Sequence, residues 1–375
     1  MQFAPGRAAV FAEANKPLDV RTYPVAAPLG ADVLLQLQRS GICGTDIHIV
    51  ENRLPIPPPF IPGHEFIGRI AELGPRAATD GLGRRLRKGD SAIACVALAC
   101  GKCFTCRQGE TASCLRFGVT YLRDPAKAPH FFGGYADYLF APAHTLVHIP
   151  KDVDLDAAAA FPCAGPTCIR AFDFAGGARA GELVVVQGTG PVGLFAIAWA
   201  RKAGCTVIAI GSSSSPARMK MARALGAREV IDYRATTAPA RLARIQALAV
   251  KLRRGNGADV VFEASGSPAA IPEGLNLVRT LGRYIVPGQY SNSGSVAIDP
   301  QLITFKAIKI IGSGQYKLAD VGAYLAFLRK HRDLQRAFAR CVTHRFPVAA
   351  ANAALRTVSR GAAVKAVFVP AEDVP

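Results

Sequence analysis

Glu182-Leu183-Val184-Val185-Val186-Gln187-Gly188-Thr189-Gly190-Pro191-Val192-Gly193 decides the fold of this chain. An apolar run feeds a glycine turn, a helical stretch follows over 194–203, and a second apolar strand follows over 205–210. A Gly-x-Gly-x-x-Gly pattern alone is weak, but between a strand and a helix it has a mechanism. The glycines permit the tight turn, and they let pyrophosphate oxygens approach backbone N–H groups where the helix dipole favours negative charge. Gly188, Gly190, Pro191, Val192 and Gly193 are therefore the expected dinucleotide-binding residues. Beyond them the alternation continues through a helix over 217–225, a short strand at 230–231, a helix over 242–252 and a strand over 258–264. Strands alternating with helices in this way specify a doubly wound parallel sheet.

The nucleotide itself is less sharply specified. An acid about twenty residues after the glycine turn normally binds the ribose hydroxyls of NAD, yet no Asp or Glu occurs between Glu182 and Glu229. Gly211-Ser212-Ser213-Ser214-Ser215-Pro216-Ala217-Arg218 stands there instead. Hydroxyls on Ser212 and Ser213 and the Arg218 guanidinium suit a 2′-phosphate, so the reading leans towards NADP over NAD. The alternative is a flexible serine loop followed by a surface arginine.

The 375 residues exceed the usual span of one core, and the first 160 have a different texture. Short alternating strands, such as 7–11 and 32–37, are separated by Pro and Gly. Strand-like pieces recur at 68–73, 91–96 and 135–140 and a further β-like run covers 142–151, before Ala-rich helix begins near 155. The expected division is a β-rich domain over 1–160, a nucleotide domain over 161–310, and a return to the first domain over 311–375.

Ten cysteines without a secretory signal point to metal binding in a reducing compartment, and cytoplasmic location is expected. Cys100, Cys103, Cys106 and Cys114 are spaced C-x2-C-x2-C-x7-C in a lobe over about 95–118. That window allows four thiolates to converge on one structural zinc. A ferredoxin cluster would continue x3-C-P, whereas here x7 intervenes and Leu115 follows. A net charge of +18 and a pI near 9.8 raise the question of polyanion partners. The basic residues are scattered and lack an aromatic-interleaved stripe, so no nucleic-acid partner is expected. No apolar run reaches the eighteen residues of a membrane span, so no membrane partner is expected either.

Gly41-Ile42-Cys43-Gly44-Thr45-Asp46-Ile47-His48 places a thiol, a hydroxyl, a carboxylate and an imidazole together where a strand ends. Cys43 suits a soft metal, and Thr45 and His48 can pass a proton. A loop later comes Gly63-His64-Glu65-Phe66-Ile67-Gly68.

Together, these motifs resemble the zinc-dependent medium-chain alcohol dehydrogenases over nearly the whole chain. The resemblance implies a GroES-like catalytic domain carrying a structural-zinc lobe, followed by a Rossmann domain. It also implies two zincs per chain, NAD or NADP as cofactor, a small alcohol or carbonyl substrate, and a homo-oligomer, dimer or tetramer. By resemblance, Cys43 and His64 ligate a catalytic zinc, with Glu65 as an outer group or occasional ligand and Asp46 orienting His64. Cys163 in Phe161-Pro162-Cys163-Ala164-Gly165 matches the third ligand, with Cys168 as rival. Lys365 resembles a basic residue that reaches cofactor phosphate, although a surface strand lysine is an equal reading. Cys95, Cys205 and Cys341 sit in apolar surroundings and read as core. The substrate pocket is expected to draw on Thr45, 54–60, the surroundings of Tyr121, and 290–295.

Overall fold

A computed structural model describes residues 3–374. The chain divides into two units, one of Met1–Cys163 with Gln315–Pro375 and one of Ala164–Gly314.

The central unit is the parallel sheet. Its strands run, edge to edge, Glu229–Asp232, Thr206–Gly211, Leu183–Gln187, Ala258–Glu263, Val278–Val286 and Lys309–Gly312. Every neighbouring pair is parallel. Numbered along the chain, the order is 3-2-1-4-5-6, the dinucleotide-binding arrangement. Chain order reverses between the Leu183–Gln187 and Ala258–Glu263 strands, where Gly188 leaves the sheet at φ +102°. A methyl group on Gly188 would meet the backbone of Ala264 at 2.8 Å, so only glycine fits. Pro191 then opens the helix Pro191–Lys202 with a φ already suited to it.

The first unit is built on a mainly antiparallel sheet. Its order is Val342–Phe346, Lys365–Phe368, Asp32–Gly41, Phe66–Leu73, Ser91–Ala94 and Leu146–His148, with Tyr138–Pro142 also paired to Asp32–Gly41. Val33, Leu35, Phe66, Ile70, Tyr135 and Phe368 belong to its core. Among the described residues, no helix is long and apolar enough to cross a membrane.

Three neighbouring strands of that sheet bring distant residues together. Register shifts between Leu34 and Leu35 and between Leu37 and Arg39 end with Ser40 opposite Phe66, and Gly41 donates its N–H to Glu65 O at 3.0 Å. On the other side, Gly41 pairs with Val367. Lys365 therefore lies next to Glu65, and their charged ends form an ion pair with both side chains only 1% exposed. Lys365 Nζ also reaches the carbonyl of Ile42 at 3.3 Å. Gly41 is required for the approach, since a side chain there would collide with the Glu65 carboxylate and meet Lys365 Cε at 2.9 Å.

This placement corrects the sequence expectation for Lys365. It is not a surface lysine: its ammonium is buried inside the sheet, where Glu65 and a carbonyl engage it. Burying one charge without its partner costs far more than burying the pair. Lys365→Met should therefore destabilise this unit by about 3–5 kcal/mol, and adding Glu65→Gln should recover most of the loss. Urea unfolding of the single and double variants measures both; a K365M protein with unchanged unfolding midpoint would contradict the argument.

Candidate active site and metal centres

Cys43 ends the chain's run out of the Asp32–Gly41 strand and becomes the N-cap of a helix, Gly44–Val50. The sequence reading had no helix here. Asp46 makes it, accepting the Cys43 N–H on Oδ2 at 2.9 Å from the third helical position, in the manner of a capping-box acid. Thr45 and His48 are three residues apart and share a helix face. Thr45 Oγ1 lies 3.8 Å from Cys43 Sγ.

His64 and Glu65 immediately precede the Phe66–Leu73 strand. His64 is 8% exposed, and its Nδ1 stands 3.2 Å from Asp46 Oδ1, close but not aligned into a formed hydrogen bond. Cys163 arrives from the opposite direction, just past the helix Leu155–Ala160. Asp154 caps that helix by accepting the Ala157 N–H at 2.8 Å, and Tyr324 donates its hydroxyl to the carbonyls of Ala157 and Ala158 at 2.8 and 3.0 Å.

The outcome is a cluster in which one ligand atom each from Cys43, His64, Glu65 and Cys163 lies within 4.8 Å of the others. Cys168, the rival of Cys163, falls outside it, fully buried in the helix Ala164–Phe174. The electrostatics fit a dication. The hydrogen bond from Cys163 holds the Cys43 thiol well below its usual range, with the His64 charge assisting, and the same hydrogen bond, with burial, pushes Cys163 up. Burial opposes protonation of His64, but the charges of Asp46 and Cys43 outweigh it and raise the imidazole. Burial lifts Glu65 to about 7 despite the opposing charge of Lys365. Two sulfurs, an imidazole and an open side suit zinc, with a fourth position left for a ligand. His48, half-buried, is held below its ordinary value by burial and by Arg53.

The second cluster contains only cysteines. The sulfurs of Cys100, Cys103, Cys106 and Cys114 all lie within 4.8 Å of one another, and Cys103 and Cys114 are 3.9 Å apart. Tetrahedral zinc with Zn–S bonds near 2.3 Å separates its sulfurs by about 3.8 Å, so the lobe fits the metal. Backbone N–H groups of Cys100 and Arg116 each donate to Cys114 Sγ at 3.3 Å. The Thr105 hydroxyl, beside Cys103 Sγ at 3.2 Å, is the main cause that lowers that thiol to about 5. Burial and the neighbouring sulfurs push Cys106 up to about 12. Cys95, Cys205 and Cys341 are buried apart from both clusters, as core residues are.

In the nucleotide unit, Gly188, Gly190, Pro191, Val192 and Gly193 form the turn and first helical residues expected of them. A methyl group on Gly190 would meet nothing within 4 Å, which leaves the backbone open to close approach. Ser212 and Ser213 follow the Thr206–Gly211 strand, and Arg218 lies in the first turn of the helix Pro216–Ala224. Sequence reasoning missed Asp232 here. It stands at the end of the next strand, and its Oδ1 accepts the N–H groups of Ser213 and Arg234, each at 3.1 Å. A search for the acid along the chain stops short of Asp232, because parallel pairing rather than sequence distance brings it beside the serine loop.

The expected substrate region is partly core. Phe60 packs on Phe11 and Tyr121, with ring centroids 5.1 and 5.8 Å away. Leu54 and Ile56 are half-buried against the same core, and Tyr290 is exposed in the other unit.

Comparison with known proteins gives the same answer from outside the chain. An alcohol dehydrogenase GroES-like domain matches residues 30–151, and a zinc-binding dehydrogenase domain matches residues 191–330. A 5-exo-hydroxycamphor dehydrogenase of Pseudomonas putida is 34% identical over 371 residues, covering 98% of this chain and 99% of that protein. A sorbitol dehydrogenase of Halalkalibacterium halodurans is 31% identical over 353 residues, covering 94% and 95%. The crystal structure of an alcohol dehydrogenase from Thermotoga maritima superposes with a TM-score of 0.89 at 28% identity, covering 98% of this chain and all of that one. The α/β fold, the glycine turn and the cysteine lobe thus stand where the resemblance puts them, in an oxidoreductase that uses zinc and NAD(P). The chain belongs to the zinc-dependent medium-chain alcohol dehydrogenase family.

Proposed function

We propose that this enzyme reversibly oxidises a primary or secondary alcohol to its aldehyde or ketone, with NADP preferred to NAD. One observation carries the reading: the convergence of Cys43, His64 and Cys163, with Glu65 beside them, in a cluster separate from the four-cysteine lobe. The kinship with dehydrogenases named for hydroxycamphor and sorbitol supports an alcohol substrate.

Bound zinc supplies a Lewis acid for the substrate oxygen, and bound NAD(P) supplies the hydride acceptor. Everything else falls to the chain. Cys43, His64 and Cys163 hold the catalytic zinc, and Cys100, Cys103, Cys106 and Cys114 hold a second, structural one. Lys365 keeps the Glu65 carboxylate engaged, so three protein ligands remain and a position stays open. Thr45 accepts the alcohol proton on Oγ1, and His48, one turn along the same helix, carries it towards solvent. Gly188, Gly190 and Gly193 let the pyrophosphate approach, while Pro191 and Val192 start the helix whose dipole attracts it. Ser212, Ser213 and Arg218 receive the 2′-phosphate. Asp232 lies beside the serine loop with its Oδ1 taken up by the backbone N–H groups of Ser213 and Arg234. At the sheet edge, the strand Lys309–Gly312 has an open outer side with Ile310 45% exposed, which suits pairing with a second copy.

Cys43→Ala or His64→Ala should lower turnover by roughly a thousandfold or more, the loss of several kcal/mol of Lewis-acid stabilisation. Zinc should fall from two to one per chain while NADPH fluorescence still reports binding; either variant with full turnover sinks the site assignment. On the cofactor, kcat/KM should favour NADP over NAD by about tenfold, or ~1.4 kcal/mol. Equal or better turnover with NAD would overturn that preference. Sedimentation equilibrium should give a multiple of the 39.5 kDa chain that Ile310→Lys reduces, and a monomeric parent protein would refute the pairing.

A further inference from the structure

Tyr135 is absent from the proton path and from the ligand set, yet it is fully buried near the His64 turn, its backbone bonded to Pro62. Its backbone is pinned beside the His64 turn: the Tyr135 N–H donates to Pro62 O at 2.9 Å, and Tyr135 O accepts the Ala9 N–H at 2.8 Å. The ring lies on Gly63, where a methyl group would meet Tyr135 Cδ1 at 2.5 Å, and it packs edge-on with Phe368, with centroids 4.7 Å apart. A phenylalanine would satisfy both contacts. The hydroxyl is what needs a reason, because a buried hydroxyl without a use is a cost.

Burial first, then the charge of nearby Asp46, push the Tyr135 hydroxyl well above its usual range. Neither the Tyr135 hydroxyl nor Asp46 Oδ1 has a well-aligned partner, and His64 Nδ1 shares that condition. Asp46 Oδ1 and His64 Nδ1 stand 3.2 Å apart, the carboxylate is 1% exposed, and among the described residues the donor aligned on that carboxylate is the Cys43 N–H on Oδ2. A carboxylate removed from water needs donors to stay ionised in place.

We propose that Tyr135 is a positioning residue: its hydroxyl donates to the Asp46 carboxylate, which is thereby held against His64 Nδ1 and fixes the imidazole for metal binding. The chain of contacts is Tyr135 to Asp46 to His64. No proton leaves the tyrosine; it acts as a neutral donor that completes the carboxylate's surroundings. Groups that orient a ligating histidine typically change metal affinity by roughly 10–100-fold when removed. The inference rests on the reading of Cys43, His64 and Cys163 as a zinc site.

The test is zinc release from the whole enzyme into a competing chelator, followed for the parent protein, Tyr135→Phe and Tyr135→Leu. Tyr135→Phe keeps the ring and removes only the hydroxyl. It should weaken retention of one zinc by roughly tenfold or more, with the four-cysteine zinc released as in the parent. In an Asp46→Asn background the same change should add little, because both substitutions cut one chain of contacts. Parent-like release from Tyr135→Phe, with loss only in Tyr135→Leu, would reduce the residue to ring packing and overturn the proposal. So would fully additive losses in the double variant. A parent enzyme that holds only one zinc per chain would instead overturn the underlying site reading, so the two failures are distinguishable.

Discussion

The buried pair of Glu65 and Lys365 is the constraint on which the catalytic unit turns. Both charges are removed from water at the ends of the two strands that flank Asp32–Gly41, and neither is tolerable alone. Their pairing requires a glycine at 41, aligns the Phe66–Leu73 strand with Lys365–Phe368, and joins the C-terminal return of the chain to the first domain. It also settles the local charge. Lys365 offsets the charge of Glu65, which leaves the sulfurs of Cys43 and Cys163 and the imidazole of His64 as the donors that face one point.

What could be read in the sequence, and what could not, follows from the range of the interactions. The glycine turn was legible because all its parts lie within one strand, one turn and one helix, and the structure places Gly188 where only glycine fits. The lobe was legible because Cys100 to Cys114 span so little chain that their spacing is nearly a geometry. The burial of Lys365 was not legible, since its partner lies 300 residues away and nothing in an apolar strand announces an ammonium buried in it. Asp232 was invisible for the same reason on a smaller scale, being brought to Ser213 by strand pairing. The Gly44–Val50 helix was missed because its signal is an unusual cap, a cysteine, whose partner acid doubles as part of the site.

The two metal clusters show how the same ligand type serves different ends. In the lobe, four sulfurs close around one point and backbone N–H groups steady them, which stores folding energy and leaves no position for a substrate. Cys43, His64 and Cys163, the ligands proposed for the catalytic zinc, come from three separate elements, two of them set by the sheet and one by the end of a helix that Tyr324 holds. Such a site cannot form before the long-range pairing of the sheet is complete. The closed cluster can assemble from local chain alone.

Asp46 draws these threads together. One oxygen of its carboxylate caps the helix that carries Thr45 and His48, and the other stands 3.2 Å from the imidazole of His64. The proposed proton path and the proposed metal ligand are therefore positioned by a single side chain. Moving the helix start displaces the imidazole's neighbour, and turning the imidazole disturbs the cap. That coupling gives a physical reason for the short Cys43-to-His48 stretch: its hydroxyl and imidazole are useful only in fixed relation to the ligands, and the shared carboxylate is what fixes that relation.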